Sequence, residues 1–408
     1  MGAPQIRLRC IARELRKRGI EVSVLTAMPN YPLGKVFRGY EHRWYMRERI
    51  DGIEVTRLWG YAATGKAAAA RIANYCGFAL TALTTIFRLN LPQVLFVESQ
   101  PLPVGIVALF MKWFRGVPYI YNVPDLQVQA ARDLGFLRGP VLRVALWFED
   151  LMLKQAWKVS TVTNAFIQHF RARGVPLEKI TFLPNGADTE FLKPLPPFPE
   201  FLDRWQLRGK KVIVAVGTMA YYQALDTIVE AAERLASDSE IVLLMVGDGP
   251  ERERIQRLVR SKGLSNVIFS LLPYEENDQL YSIAHAALAT FRNVPIAASS
   301  RPSKLFPPLS CGVPVIYSGT GEAAQLIESH CCGVAVPPED PDALAQAIRE
   351  LVNDPERRQR LGRNGRLLAE SKYSWFGIVE RWLNELLNSE RDFCNDLQPI
   401  SEKASPSQ

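Results

Sequence analysis

Cysteine pairs at metal or redox spacing are missing from this sequence. Its 408 residues hold six cysteines (Cys10, Cys76, Cys311, Cys331, Cys332 and Cys394), with no C-x-x-C and no histidine at ligand spacing. That pattern argues against a disulfide framework or a zinc site and fits reduced thiols in a cytosolic chain. Also missing is an apolar run of about 20 residues, the length a membrane-spanning helix needs. The longest stretches, 77–87 and 104–114, suit buried helices or contact with an interface. No secretory leader opens the chain. There is no recognisable nucleic-acid module, so no nucleic-acid partner is expected. A G-x-G follows an apolar strand at Gly247 and Gly249, but Arg252 stands where a dinucleotide fingerprint needs its third glycine.

Acid is scarce in the first half. Through Glu200 there are 26 Lys/Arg against 15 Asp/Glu; after it, 23 against 27. A basic half suggests an anionic partner, a membrane leaflet or a lipid pyrophosphate; a solvated basic surface is the alternative.

What is present is a repeated strand–helix alternation, in a chain long enough for two domains. Helix 6–18 leads to strand 21–26, then a polar aromatic loop over 29–49, read as an acceptor loop or a plain surface connection. Strand 53–58, helix 67–88, strand 94–97, helix 104–114, strand 118–121, helix 140–158, strand 159–163 and helix 166–173 follow. Such alternation argues for a parallel sheet covered on both faces. Four prolines in 194–199 mark a linker. The pattern then restarts with strands 212–216, 241–246 and 267–271. The Glu339-Asp-Pro-Asp342 run precedes a helix at 343–352, so it reads as a cap and not as a metal motif.

The stretch that organises the second half is SSRPSKLFPPLSCGVPVIYSGTGEAAQLI, Ser299 to Ile327. It combines a loop, a short helix, a buried strand and a glycine-rich turn, and Ser303 and Lys304 bring N–H groups and a cation to one place, equipment for a pyrophosphate. PSKLF, L-x-C-G-x-PVI and GEAA-x-LI resemble the donor segment of family 4 retaining glycosyltransferases, in the branch acting on bacterial surface-sugar precursors. GAPQIRLRCIARELRKRGIEVSVLT, the PNG-x-D run at 184–188 and GDGP at 247–250 are similar to further motifs of that family.

The resemblance implies an α/β GT-B architecture, two doubly wound parallel-sheet domains facing a cleft. Residues 1–193 would form the acceptor-binding domain, 194–210 the linker and 211–374 the nucleotide-sugar domain. Residues 375–387 would be a helix crossing back, and 388–408 a disordered tail. Family members begin with an apolar strand and a glycine-rich turn, of which only Gly2 and Ala3 on the acceptor side remain, so the first strand is expected to be missing. The implied activity is metal-free, cofactor-free transfer of a hexosyl or N-acetylhexosaminyl group from a UDP-type donor to a lipid-linked or glycan acceptor. The implied place is the cytoplasm, peripherally at a membrane's inner face. Gly217, Thr218, Gly247, Leu272, Ser303, Lys304, Leu305 and Pro307 would line the donor, Ser303 and Leu305 through N–H groups. Lys304 would act in catalysis. Asp125 is either catalytic or a turn carboxylate.

Five replacements bear on activity. Family glutamates are replaced by Ser299 and Pro307, loop glycines by Ala220 and Ala224, and a basic residue by Pro124. Each alanine Cβ is expected to close the backbone's approach to the phosphates. The Pro307-Pro308 pair is expected to start its helix at 306–308 and not at 302–304. A degenerate, non-catalytic relative is the competing reading, and a GT-B-fold sugar-nucleotide epimerase a weaker third.

Overall fold

Apolar strands flanked by amphipathic helices leave each half one way to bury its core, as a sheet between helical layers. The structure is a computed structural model and describes residues 2–30, 35–60, 68–133, 135 and 137–396. The first half runs α1 (Ala3–Lys17), β1 (Ser23–Ala27), β2 (Tyr45–Ile50), β3 (Ile53–Leu58), α2 (Ala68–Thr85), β4 (Leu95–Glu98) and α3 (Gly105–Arg115). It continues with β5 (Tyr119–Val123), α4 (Gln127–Asp133), α5 (Gly139–Gln155), β6 (Lys158–Thr161), α6 (Asn164–Ala172) and β7 (Ile180–Phe182).

The second half runs α7 (Pro199–Arg204), β8 (Lys211–Val216), α8 (Leu225–Arg234), β9 (Ile241–Val246), α9 (Arg252–Ser261), β10 (Val267–Ser270), α10 (Asn277–Ser282) and β11 (Ala284–Thr290). Then come α11 (Pro295–Ser299), α12 (Phe306–Ser310), β12 (Val315–Ser318), α13 (Glu322–Ser329), β13 (Gly333–Val336), α14 (Pro341–Asn353), α15 (Pro355–Lys372) and α16 (Trp375–Asp396). Its six strands are all parallel, in the order β10-β9-β8-β11-β12-β13. The order reverses between β8 and β11, and open α/β sheets bind ligands at the carboxyl ends of strands beside such a reversal.

The first domain's strands do not close into one sheet. Among the described residues they form β2-β3-β1 and, separately, β4-β5-β6-β7. The break lies between β1 and β4, each pairing on one side only, while Leu25 of β1 and Leu95 of β4 pack on one apolar cluster.

Three further expectations are corrected. The loop over 29–49 contains β2, which pairs antiparallel with β3 from Tyr45↔Leu58 to Ile50↔Ile53. Asp51 and Gly52, both with positive φ, form the two-residue hairpin turn; residues 31–34 of that loop lie outside the described ones. The linker holds α7, whose Phe201 is buried. The last helix passes Leu387 and reaches Asp396, so only 397–408 of the expected tail lie outside the described residues.

The last helix does cross back. On α16, the Trp382 indole N–H donates to the Ser160 hydroxyl at 2.9 Å, and its ring meets Phe96 edge-on. Glu385 accepts the Phe182 N–H at 3.0 Å. The PNG-x-D run completes this seam. A Cβ on Gly186 would stand 2.4 Å from the Tyr373 carbonyl oxygen, and Ala187 bridges to Ser374.

Candidate functional site

The carboxyl ends of β8, β9, β11 and β12 converge on the cleft, and the loop after β8 forms its floor. Gly217 has φ +139, and a Cβ there would meet open space; that conformation is one L side chains rarely adopt. Gly247 does different work. A Cβ on it would lie 1.9 Å from the Gly217 carbonyl oxygen, so this glycine lets the second loop stack behind the first. The Met219 N–H donates to Asp248 O at 2.9 Å and fastens the two together.

The loop glycines' replacements act otherwise than expected. Ala220 is in extended backbone, which any residue adopts, and Ala224 is left-handed at φ +46. Both are buried, so neither methyl obstructs the cleft. The cost of Ala224 is backbone strain of about 1 kcal/mol.

Lys304 stands opposite. A single 3-10 turn over Ser303–Leu305 runs into α12, and the α-helix itself begins at Phe306, as the proline pair dictates. Pro307, half-exposed, takes an early helical position where no N–H is needed. The Lys304 Nζ donates to Gln223 Oε1, and the Phe291 ring lies 5.9 Å away. Burial, with no charged partner to offset it, pushes the Lys304 ammonium down to about 7.

Two donor-site expectations change. The Leu305 N–H is already used, donating to Pro302 O at 3.2 Å, and its side chain is fully buried. Ser303 and Lys304 open the turn, where a helix's first N–H groups have no acceptor within it. Leu272 turns its side chain into the core and leaves Leu271 exposed, so only its backbone borders the site. Thr218 is half-buried beside Gly217.

The opposite wall is the first domain. Asp125 follows β5 at its carboxyl end and is exposed. Desolvation raises it to about 6, against the Gln100 hydrogen bond and the Arg7 charge, which lower it. Beneath it lies a network that the sequence reading missed. Arg7 donates to Leu183 O at 2.8 Å and sits 3.8 Å from Glu98, and the Asn122 amide donates to Glu98 at 2.6 Å. The available signal was a polar residue at or beside the end of each of two apolar strands, Glu98 on β4 and Asn122 on β5. Gly2 is the extended residue before α1, and Ala3 is its first.

A cavity of about 560 Å³ joins the walls, bordered by Leu126, Gln129, His169 and Ser299. Beside it Glu322, at the start of α13, accepts the Ala165 N–H at 2.6 Å and an Arg301 Nη2 bond at 2.7 Å. The carboxylate thereby caps α6 of the other domain. Glu322→Gln is expected to cost about 1–2 kcal/mol, measured as a urea midpoint, because Arg301 loses its charged partner.

Two auxiliary sites resolve as structure. Asp340 accepts the Asp342 and Ala343 N–H groups at 3.1 and 2.9 Å, capping α14. His285 accepts the Val212 N–H at 3.2 Å, and burial lowers it to about 4.

Two family models match. "Glycosyl transferase 4-like domain" covers residues 2–186, and "Glycosyl transferases group 1" covers 199–368. The chain is 26% identical to the Escherichia coli K12 colanic acid biosynthesis glycosyl transferase WcaI, over 84% of this chain and 86% of the relative. It superposes on sucrose-phosphate synthase from Thermosynechococcus elongatus with TM-score 0.75 and 20% identity, covering 97% and 94% of the two chains. Anabaena HepE, solved with UDP and glucose, gives TM-score 0.72 and 16% identity, covering 95% and 96%.

Proposed function

We propose that this chain, which belongs to the family 4 glycosyltransferases of GT-B fold, moves a hexosyl or N-acetylhexosaminyl group from a UDP-type donor to a hydroxyl of a lipid-linked or surface-polysaccharide acceptor. Its coarser class, a glycosyltransferase of polysaccharide or glycolipid biosynthesis, follows from the family. The observation that carries the finer reading is Lys304, a desolvated amine on the turn Ser303–Leu305 whose Nζ reaches Gln223 in the loop that Gly217 and Thr218 begin.

In the proposed reaction the bond from sugar C1 to the β-phosphate oxygen breaks, and a bond from C1 to the acceptor oxygen forms on the same face. The acceptor proton passes to the departing phosphate, so retention needs no metal and no cofactor. Lys304 as ammonium and the N–H groups of Ser303 and Lys304 meet the charge that grows on the leaving pyrophosphate. Asp125, ionised above about pH 6, accepts a hydrogen bond from the acceptor hydroxyl and orients it. HepE's solved complex with UDP and glucose supports a UDP-type donor. The acceptor's glycan nature is supported by the likeness to WcaI, named for colanic acid biosynthesis; its lipid form and work in the cytoplasm at a membrane's inner face rest on the family resemblance alone.

A second reading has observations of its own. Ser299 and Pro307 in place of glutamates, with strain at Ala224, fit a protein that has kept the fold and lost turnover. Calorimetry with UDP and GDP, then hydrolysis of UDP-sugars, tests both. Weak UDP binding with slow donor hydrolysis, and neither with GDP, is expected. Silence toward both nucleotides favours the degenerate reading.

A further inference from the structure

The helical layer on the outer face of the first domain is covered only in part. On that layer α3 lies against both α2 and α5. Each of the three turns a row of large apolar side chains to solvent at helical spacing. Leu80 leads on to Phe87 just past the end of α2, Trp113 and Phe114 follow Ile106 on α3, and Val144 and Trp147 follow Val141 on α5. Ile106 is 44% exposed, and the others are between 55% and 69% exposed.

The rows are joined. Phe110 meets Phe87 at 5.6 Å and Phe114 at 4.8 Å, and Arg115 lies over the Phe87 ring at 5.9 Å. Lys112 bonds the end of α5 at Gln155. Contiguous apolar surface of this kind is uncommon on a protein that meets only water.

Charge selects the occupant. From Tyr61 to Tyr121 the sequence contains one acid, Glu98, and that residue faces the cleft network. On α5 the acids Glu149 and Asp150 are both held by Arg173. Arg88, Arg115, Arg138 and Arg143 are all exposed around the apolar rows. Tryptophan and phenylalanine bordered by arginine, with no free acid, match the headgroup zone of an anionic bilayer, where indole rings settle and basic side chains meet phosphate. No helix of the described residues is long and apolar enough to cross a membrane.

We propose that the face formed by α2, α3 and α5 seats on an anionic lipid surface, with Phe87, Trp113, Phe114 and Trp147 entering the headgroup layer. This rests on the transferase reading, which it deepens by naming the surface that delivers a lipid-linked acceptor. Leu146 and Asp150 of α5 border the interdomain cavity, so the seated face ends where the cleft opens.

The test uses the full chain and sedimentation with vesicles of phosphatidylglycerol and phosphatidylethanolamine, against vesicles of phosphatidylcholine alone. Binding to the anionic vesicles is expected, falling steeply with salt. W113S/F114S is expected to weaken it about tenfold, and R88E/R115E about as much. Far-ultraviolet circular dichroism, UDP affinity and donor hydrolysis are expected to stay unchanged, since none of these residues touches the cleft. Absent binding, equal binding to neutral vesicles, or binding indifferent to both variants would overturn the proposal. So would a dimer in sedimentation velocity that W113S/F114S dissociates, because the face would then belong to a second copy. UDP affinity, read on the same preparations, reports separately on the transferase reading.

Discussion

Replacing Lys304 by methionine lowers sugar transfer by about 10²- to 10³-fold, the usual cost of one charge-stabilising group at a leaving anion, and raises the melting temperature of the unliganded protein. The opposite signs follow from one cause. With the amine held near 7, the folded protein disfavours its ammonium form, whereas the unfolded chain carries it to about 10.5. Between those values the unfolded state binds more protons, so this group lets stability rise with pH across that window, and its burial penalty is full below pH 7. Methionine removes the penalty and the function together.

Ligand binding reverses the preference, since the diphosphate favours the ammonium. Above pH 7 binding must take up a proton, and UDP affinity falls by about tenfold per pH unit. Asp125 sets the other limb, because its carboxylate is lost as pH falls through about 6. Turnover per free donor should therefore be bell-shaped, with limbs near 6 and 7. Calorimetry from about pH 6 to about pH 9 on wild type and Lys304→Met checks this. Parallel pH dependence in the two proteins would remove Lys304 from the site.

Pro307→Glu is expected to tighten UDP binding about ten- to a hundredfold. A carboxylate at this half-exposed position accepts hydrogen bonds from the ribose diol, and charged bonds of this kind contribute roughly 1.5–3 kcal/mol. The exchange leaves the backbone intact, since α12 begins at Phe306 and the early position requires no N–H. Pro308 should stay. It is buried, and its carbonyl accepts the Val313 N–H at 2.9 Å, so a larger side chain there would overpack the core. The control is 2′,3′-dideoxy-UDP, on which the gain should vanish. Equal affinity of both proteins for UDP would mean that the ribose lies elsewhere.

The features legible in the sequence are those that local chemistry dictates. Alternating apolar segments announced two parallel sheets, and two consecutive prolines placed the start of α12 within a residue. Edge strand β2 escaped because its charged alternation, Tyr45-Met-Arg-Glu-Arg-Ile50, reads as surface loop, although Asp51-Gly52 was a hairpin signal. Ala224 looked like an obstruction to phosphate, and its φ shows a strained turn with the methyl turned inward. Leu305 was given a free N–H that its own turn consumes. The Arg7–Glu98–Asn122 network and the Glu322 cap join residues far apart in the chain, and no periodicity reports such pairs.

The crossing of α16 has a consequence for biosynthesis. The face of the first domain that holds Phe96, Ile120 and Leu183 is closed by Trp382 and its neighbours on the last helix. A ribosome adds about 5–20 residues each second, so that face waits roughly 10–40 s after β7 emerges for the segment that covers it. During that interval the nascent first domain has unpaired edges at β1 and β4 and an apolar face that α1 covers only in part. It needs shelter by a chaperone, or by the ribosome surface, until the far end of its own chain arrives.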